Sequence, residues 1–360
     1  MSEEKQEKGA LGKVGDALHT VVDPIGQQFG NIGHSLADAM GNVLGPKIDV
    51  TGKIFLTGAM GVVSYRAAAR LLESQIPPDH AVRLGARDPT KLEDFNEKGA
   101  EIVTFCWDRE DTYESALKSV KTVFCITPYV KGWEEKFPLF LAACKKAGVQ
   151  YFVKLSFYHA RAPNDPFQAV PLVKLHAKCD NLLAKSGIPH TILSASHFMS
   201  NPMVFQGKTI MKDEKPAVFY GSSHEKGVNY VSPNDVAEVA VRVLFDPRPH
   251  LGKEYALTGP EAVSDQTVAK LLGQAFEKPV MYVDQPIKTF EESERFSGHP
   301  DWMVNDLVAL ETIKAEGIED SKSFVSDDIK NICGHDAETF EAYLEDRSHM
   351  TPKEMGTPAA

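Results

Sequence analysis

The segment TGAMGVVS, residues 57–64, has two glycines at the spacing of a phosphate-binding turn. Gly58 and Gly61 follow a short apolar run and precede the helical pattern RAAARLLES. Glycines let the backbone approach phosphates, and free N–H groups at a helix N-terminus face their negative charge. The usual third glycine is replaced by Ser64. Because that glycine serves helix–strand packing more than phosphate contact, we predict a dinucleotide-binding turn, with a purely structural turn as the alternative.

Charged residues after the next apolar run, in RLGARDPTK, indicate which dinucleotide would fit. Arg87 stands at the tip of this run and Lys91 follows one turn later. Two cations at this place suit a 2′-phosphate. Asp88 is contrary evidence, because an acid near this strand end holds the ribose hydroxyls of NAD. We therefore expect NADP(H) in preference to NAD(H).

A parallel sheet would position these residues. From Lys53 onward, short apolar runs alternate with helical stretches. The runs are KIFLTG, AVRLGARD, EIVTFCW, TVFCIT, YFVKLSF and HTILSAS, with KEYALTG later in the chain. Near-continuous apolar strands separated by helices are typical of a parallel sheet covered on both faces. The pattern predicts an α/β fold with a doubly wound (Rossmann) parallel sheet.

The segment SASHFMSN, residues 194–201, follows the sixth of these strands. Ligands bind at the carboxyl edge of such sheets. We expect His197, Phe198 and Asn201 to line a nicotinamide or substrate pocket there. For His197, a strand-end loop that packs against a C-terminal lobe is an equally good interpretation.

Composition limits the class of protein. The chain has 360 residues, 42% of them hydrophobic, and a formal net charge of −11, which argues against a nucleic-acid partner. No apolar run reaches the roughly 18 residues of a membrane span, and the start lacks the apolar segment of a secretory signal. The five cysteines are scattered without a C-x-x-C pair, so we expect neither a disulfide framework nor a metal site. Together these features predict a cytoplasmic protein, or one of an organelle matrix.

The two ends of the chain differ from its middle. Residues 1–47 form an amphipathic, glycine-rich extension whose apolar residues recur at helical spacing. Such a stripe needs a partner surface, so residues 11–44 predict docking on the chain's own domain, on a second copy or on another protein. The last residues, 346–360, predict a disordered tail.

Six motifs together resemble one family. They are TGAMGVVS, VRLGARDPTKL, ALKSVKTVFCITP, HAKCDNLLAKSGIPHTILSASHFMSNP, YVSPNDVAEVAVRVLFDP and GKEYALTGPEAVS. In this order they resemble the NmrA-like branch of the atypical short-chain dehydrogenase/reductases, from about residue 50 to about residue 345. The resemblance implies a dinucleotide-binding domain over residues 48–345. It also implies a small C-terminal α/β substrate lobe, mainly residues 200–225 and 261–345, that closes over a cleft.

The resemblance also implies roles for individual residues. The phosphate turn would consist of Gly58, Ala59, Met60, Gly61, Val62 and Val63. Arg87 would take the 2′-phosphate, and the Thr127–Pro128 turn would pass the adenine ribose. The chain departs from the family at Ser64 and at Cys106 or Trp107, where an acid often meets the adenine.

A proton donor is harder to find. Ordinary short-chain dehydrogenases use Tyr-x-x-x-Lys, and none of the ten tyrosines is followed four residues later by lysine. The family position for a donor is occupied by His176, which can titrate near neutrality. Asp180, four residues on, shares its helix face and would orient or charge the ring. Tyr158 is a second candidate donor, and a surface histidine is the alternative for His176.

Two functions from different classes fit these residues. One is an NADPH-dependent reductase that transfers hydride to a small quinone, enal or aromatic substrate. The other is a non-catalytic NADP(H)-binding redox sensor, or a regulatory or structural subunit. Retained glycines with a lost Tyr-x-x-x-Lys favour the sensor, whereas His176 in the donor position favours the enzyme.

Overall fold

The computed structural model describes residues 48–74, 80–162, 164–210 and 217–345. The predicted N-terminal extension, its docking stripe and the C-terminal tail lie outside the described residues. The strands are β1 Lys53–Leu56, β2 Ala81–Ala86, β3 Glu101–Thr104, β4 Val120–Cys125, β5 Tyr151–Phe157, β6 His190–Ala195, β7 His197–Phe198, β8 Ala217–Gly221, β9 Gly227–Val231, β10 Glu254–Leu257, β11 Ala262–Ser264 and β12 Val280–Asp284. The helices are α1 Val62–Glu73, α2 Glu93–Glu97, α3 Asp111–Ala116, α4 Trp133–Ala147, α5 Pro171–Lys185, α6 Asn201–Ile210, α7 Pro233–Phe245, α8 Asp265–Ala275, α9 Ile287–Phe296, α10 Asp301–Glu316, α11 Asp328–Cys333 and α12 Phe340–Glu345.

Seven strands form one parallel sheet in the order β3-β2-β1-β4-β5-β6-β10. This confirms the predicted doubly wound fold, including every strand that the apolar runs indicated. The central strands β4 and β5 are almost wholly buried, since helices cover both faces. The strand order reverses between β1 and β4, which is where ligands bind in such sheets.

Smaller sheets and several helices form the C-terminal part of the molecule. β7, β9 and β11 make one three-stranded sheet, and β8 pairs with β12. Asp306 on α10 joins this part to the large sheet: its carboxylate accepts hydrogen bonds from the Tyr129 hydroxyl at 3.2 Å and from the Leu172 amide at 2.8 Å. The link fixes α10 over the start of α5.

Two further expectations concern the described residues. All five cysteines are free thiols, and four of them are buried. Of the helices in the described ranges, none has the length and apolar character needed to cross a lipid bilayer.

The first turn of α7 contains a buried carboxyl group with an altered titration. Asp235 is buried and accepts a hydrogen bond from the Glu338 amide at 2.7 Å. Burial, with a smaller contribution from the nearby Glu338 carboxylate, raises the pKa of Asp235 to about 6. The folded protein therefore holds a proton here at pH values where the unfolded chain has lost it.

This difference predicts a pH-dependent stability. Because the folded pKa is raised, the contribution of Asp235 is present at low pH and is lost as pH rises from about 4 to about 6. Asp235→Asn should remove this pH dependence. Between pH 4 and pH 7, the free energy of unfolding of the variant should therefore rise by up to about 3 kcal/mol relative to that of the native protein. Urea unfolding at the two pH values measures the difference. Glu341→Gln, at an exposed position, is the control; pH profiles of the native protein and of Asp235→Asn that run parallel would contradict the prediction.

Candidate cofactor and substrate site

The turn between β1 and α1 has the geometry of a phosphate cradle. Gly58 has φ +62°, a conformation that favours glycine, and its carbonyl accepts the Gly61 amide at 2.7 Å. Helix α1 starts after Gly61 with no side-chain cap and no acidic residue in its first turn. Its first amides thus remain for a ligand, and the N-terminal end of the helix dipole favours an anion. These features fit a dinucleotide pyrophosphate.

Ser64 explains how the turn closes without its third glycine. Its buried hydroxyl donates a hydrogen bond to the Thr57 carbonyl at 2.7 Å. The Thr57 hydroxyl in turn donates to the Ile126 carbonyl at 2.9 Å and accepts from the Ile126 amide at 2.8 Å. A small polar side chain therefore fits at this packing position and bonds the helix to the strand end, which is linked in turn to the end of β4.

The two predicted cofactor-binding cations, Arg87 and Lys91, follow the end of β2. Arg87 is exposed and, among the residues that the structure describes, forms no ion pair. Lys91 lies in the short 3-10 helix Pro89–Leu92. Asp88 caps that helix, and its hydrogen bonds with the Thr90 hydroxyl and amide hold the pKa of its carboxyl below the ordinary value. Asp88, the residue whose position favoured NAD, thus already accepts local hydrogen bonds from Thr90.

A cavity of about 300 Å³ lies beyond the carboxyl ends of β4, β5 and β6. The β4 end contributes Ile126, Thr127 and Pro128, and α6, α9 and α10 contribute to its other walls. Aromatic side chains from several segments line much of it: Tyr129, Trp133, Phe157, Phe198, Phe205, Phe219, Tyr230 and Phe290. Because Thr127 and Pro128 follow the strand beside β1, the cavity lies on the same sheet edge as the phosphate turn.

His176 lines this cavity from α5. Its Nδ1 is 3.2 Å from the Lys154 ammonium, and its ring packs on Trp133 with centroids 5.0 Å apart. Burial, and then the Lys154 charge, hold the pKa of His176 well below its ordinary value. The ring is therefore neutral at pH 7. Since Lys154 donates to Nδ1, the ring proton is on Nε2.

Asp180 has a different partner from the one that helical spacing predicted. Its Oδ1 is 2.7 Å from the Lys154 ammonium, with both side chains fully buried, and its Oδ2 accepts the Ser156 hydroxyl at 2.5 Å. The expectation that Asp180 directly orients or charges His176 is wrong. The carboxylate neutralises Lys154, and Lys154 contacts the ring.

Tyr158 is not brought into the cavity. Its hydroxyl donates to the Phe324 carbonyl at 3.3 Å, and its ring packs edge-on against Phe324 and His159. Burial raises the pKa of this phenol. The structure therefore contradicts a role for Tyr158 as the donor in this cavity.

The three residues predicted to line a pocket after β6 all line this cavity: His197, Phe198 and Asn201. His197 fits both of its predicted roles. It lines the cavity, and its Nε2 also pairs with the buried Glu319 of the C-terminal part at 3.0 Å. Sequence reasoning missed Lys154, Ser156 and two charged residues of α10, Glu311 and Lys314. For Lys154 the signal was present, since a lysine inside an apolar strand needs a buried anionic partner.

The fold and the sheet-edge site define a dinucleotide-binding protein of the Rossmann type. Residues 50–344 match the model of the NmrA-like family, and the chain belongs to that family. It is 27% identical over 290 residues to the NAD(P)H azoreductase of Xenophilus azovorans, covering 81% of this chain and 96% of that protein.

Solved structures show the same fold. The NADPH-dependent quinone oxidoreductase of Escherichia coli, complexed with NADPH, has a TM-score of 0.67 at 22% identity and covers 81% of this chain and 98% of its own. NmrA, a negative transcriptional regulator in complex with NADP, has a TM-score of 0.63 at 16% identity, covering 87% and 99%.

The hydrogen bond of Ser64 generates a stability prediction. Ser64→Gly restores the familiar glycine pattern but removes the bond to Thr57 and places glycine in a helix. We expect a loss of roughly 1–2 kcal/mol in the free energy of unfolding, with the phosphate turn itself intact. Denaturant unfolding of Ser64→Gly and Ser64→Ala measures the two contributions, because alanine removes only the bond. An alanine variant as stable as the native protein would show that the bond contributes nothing to the free energy of unfolding.

Proposed function

We propose that this protein reduces a small quinone, enal or aromatic substrate, with NADPH as the hydride donor. The chain is an NAD(P)H-dependent oxidoreductase that uses NADP(H), in keeping with its named relatives. The observation that carries the proposal is the common sheet edge. It holds a phosphate turn, the exposed Arg87 and an aromatic cavity with His176 in its wall.

The chain's own residues would divide the work as follows. The turn Gly58, Ala59, Met60, Gly61, Val62 and Val63 would hold the pyrophosphate, with Arg87 and Lys91 on the 2′-phosphate and Thr127 and Pro128 beside the ribose. NADPH supplies a hydride when it is bound. The aromatic walls would exclude water from the acceptor and stack against it.

Proton delivery to an acceptor oxygen follows from the contact between Lys154 and His176. A neutral imidazole can pass its Nε2 proton to the oxygen while Nδ1 takes a proton from the Lys154 ammonium, 3.2 Å away. Asp180 then faces a neutral lysine until product release, when solvent protonates Nε2 and Nδ1 returns its proton to Lys154. In this scheme His176 relays the proton, and Lys154 is its source.

The regulatory alternative also has an observation in its favour. The chain lacks Tyr-x-x-x-Lys, so the same turn and cations would serve a redox sensor without turnover. In either case we place the protein in the cytoplasm or an organelle matrix, with residues 11–44 as the segment that docks on a second copy or another protein.

The cofactor assignment predicts a selective loss of affinity. Arg87→Ala should weaken NADPH binding by roughly 1.5–3 kcal/mol, the range for a charge-assisted hydrogen bond, and should leave NADH binding unchanged. Calorimetric titration with each cofactor measures both effects. Lys98→Ala, another exposed cation, is the control. Equal affinities of the native protein for NADPH and NADH would contradict the assignment.

The proton relay predicts a loss of turnover with the cofactor still bound. For a quinone acceptor, His176→Phe should lower kcat by about 10²–10⁴ and leave NADPH affinity nearly unchanged. Lys154→Met should lower kcat in the same way. The double variant Lys154→Met with Asp180→Asn should do so too, and it leaves no unpaired buried carboxylate. Stopped-flow absorbance at the NADPH band follows the reaction. If His176→Phe reduces the quinone at the native rate, the relay does not operate.

A further inference from the structure

We infer that the protein binds Zn²⁺ where α7 meets the end of α11, through Glu238, Cys333 and His335. Across the part of the chain that the structure describes, these form the one group of three histidine, cysteine or acidic side chains whose ligand atoms all lie within 4.8 Å of one another. None of the three lines the cavity beyond β4, β5 and β6, so the site does not depend on the proposed reaction. The cysteine spacing predicted no metal site, and this proposal departs from that prediction because only one of its ligands is a cysteine.

A left-handed turn brings Cys333 and His335 to the same side of the chain. Cys333 is the last residue of α11, and its thiol is buried. Gly334 follows with φ +79°, and its amide donates a hydrogen bond to the Lys330 carbonyl at 2.8 Å. The turn ends the helix and directs the next residue back toward α7. The Lys330 ammonium also spans the turn, 2.8 Å from an Asp336 carboxylate oxygen.

The histidine presents the nitrogen that a metal needs. Its Nδ1 lies 2.8 Å from the Asp336 carbonyl oxygen, which can only accept, so Nδ1 carries a proton. In the neutral ring Nε2 then has a lone pair, and this atom lies 3.3 Å from Glu238 Oε2. A lone pair that faces a carboxylate oxygen needs a cation between the two atoms. A histidine that binds zinc is commonly oriented in this way, with its other nitrogen donating to a backbone carbonyl.

Glu238 can bind an ion through one oxygen while the other keeps its partner. Oε1 accepts hydrogen bonds from Arg242 Nε at 3.0 Å and from Nη2 at 2.8 Å, which fix the plane of the carboxylate. Oε2 faces His335, with the Arg70 guanidinium 3.8 Å away. The Arg70 side chain is 38% exposed, so it can turn to solvent when an ion takes Oε2. Arg242 would then act as an outer partner that orients the ligand.

The spacing and the types of the donor atoms fit zinc. Ligand atoms around a tetrahedral Zn²⁺ lie roughly 3.3–3.6 Å apart, given bonds of about 2.0–2.1 Å to nitrogen or oxygen and about 2.3 Å to sulfur. The 3.3 Å between His335 Nε2 and Glu238 Oε2 already has this value. Since no two of the three ligand atoms are more than 4.8 Å apart, a shift of about 1 Å closes the group around the ion. Thiolate and imidazole favour Zn²⁺ over Mg²⁺ and Ca²⁺, which prefer oxygen ligands.

The charges of the bound state balance. The Cys333 thiol loses its proton to solvent and binds as a thiolate, while His335 binds as a neutral ring and Glu238 as a carboxylate. The two negative ligands match the two positive charges of the ion. Three protein ligands leave the fourth tetrahedral position to water, because His335 lies at the surface. The ion would join the last turn of α11 to α7 and stabilise the contact between these two helices.

Metal titration of the full-length, untagged protein tests the site. After removal of bound metal with a chelator, we expect Zn²⁺ to bind with a dissociation constant in the micromolar range or below, measured by competition with a chromophoric chelator. Co²⁺ in the same place should show a thiolate-to-cobalt charge-transfer band in the near ultraviolet, because a cysteine is among its ligands. Free Zn²⁺ at about 100-fold above its dissociation constant should raise the midpoint of thermal unfolding by about 3–6 °C. Weaker binding, or bound Co²⁺ without the thiolate band, would overturn the inference.

Variants of two ligands locate the ion. Cys333→Ser should weaken Zn²⁺ binding at least about 100-fold and abolish the cobalt band, and His335→Gln should weaken binding at least about tenfold. Because His335 is exposed, its variant keeps the test valid even if Cys333→Ser fails to fold. Without metal, His335→Gln should unfold near the native midpoint, and the rise that Zn²⁺ causes should be lost.

Two matched controls remove the same residue types elsewhere. His224→Gln removes an exposed histidine that pairs with Asp284 at 2.6 Å, and Cys106→Ser removes the one cysteine that is only partly buried. Both controls should bind Zn²⁺ as the native protein does. Native Zn²⁺ affinity in His335→Gln, a cobalt band that persists in Cys333→Ser, or a loss of binding in a control as large as that in His335→Gln would overturn the inference.

Discussion

The site depends on one buried ammonium group, that of Lys154 on β5. A charge without solvent is tolerated only beside an opposite charge, and Asp180 supplies it from α5 at 2.7 Å. The pair therefore fixes that helix against the central strand of the sheet. The same ammonium contacts His176 one turn earlier. This ammonium thus also determines the tautomer of the histidine in the cavity wall, and it adds to the effect of burial in keeping that ring neutral.

The opposite end of the site depends on Thr57. Its hydroxyl bonds both backbone groups of Ile126, and its carbonyl accepts the Ser64 hydroxyl. The phosphate turn and the end of β4 are consequently held together at the point where the strand order reverses. A ligand held at the Gly58 turn could therefore extend along a rigid edge toward the cavity. The serine that interrupts the glycine pattern is part of what makes this edge rigid.

Sequence reasoning succeeded where the pattern was local. The apolar runs defined all seven strands of the large sheet, because buried parallel strands leave a strong signal. It failed where partners come from distant segments. Helical spacing placed Asp180 near His176, but the deciding contact is with Lys154, 26 residues earlier in the chain than Asp180. Glu311 and Lys314 lie three residues apart on α10, yet only the tertiary fold determines that this face meets the cavity.

The proposed reaction can be divided by where its proton comes from. An oxygen acceptor needs one, and a histidine with a depressed pKa can deliver it only if Lys154 gives up its own proton beside Asp180. That step leaves the buried carboxylate without its cation and is costly. The buried pair that helps to hold His176 neutral therefore also sets the cost of delivering a proton through it.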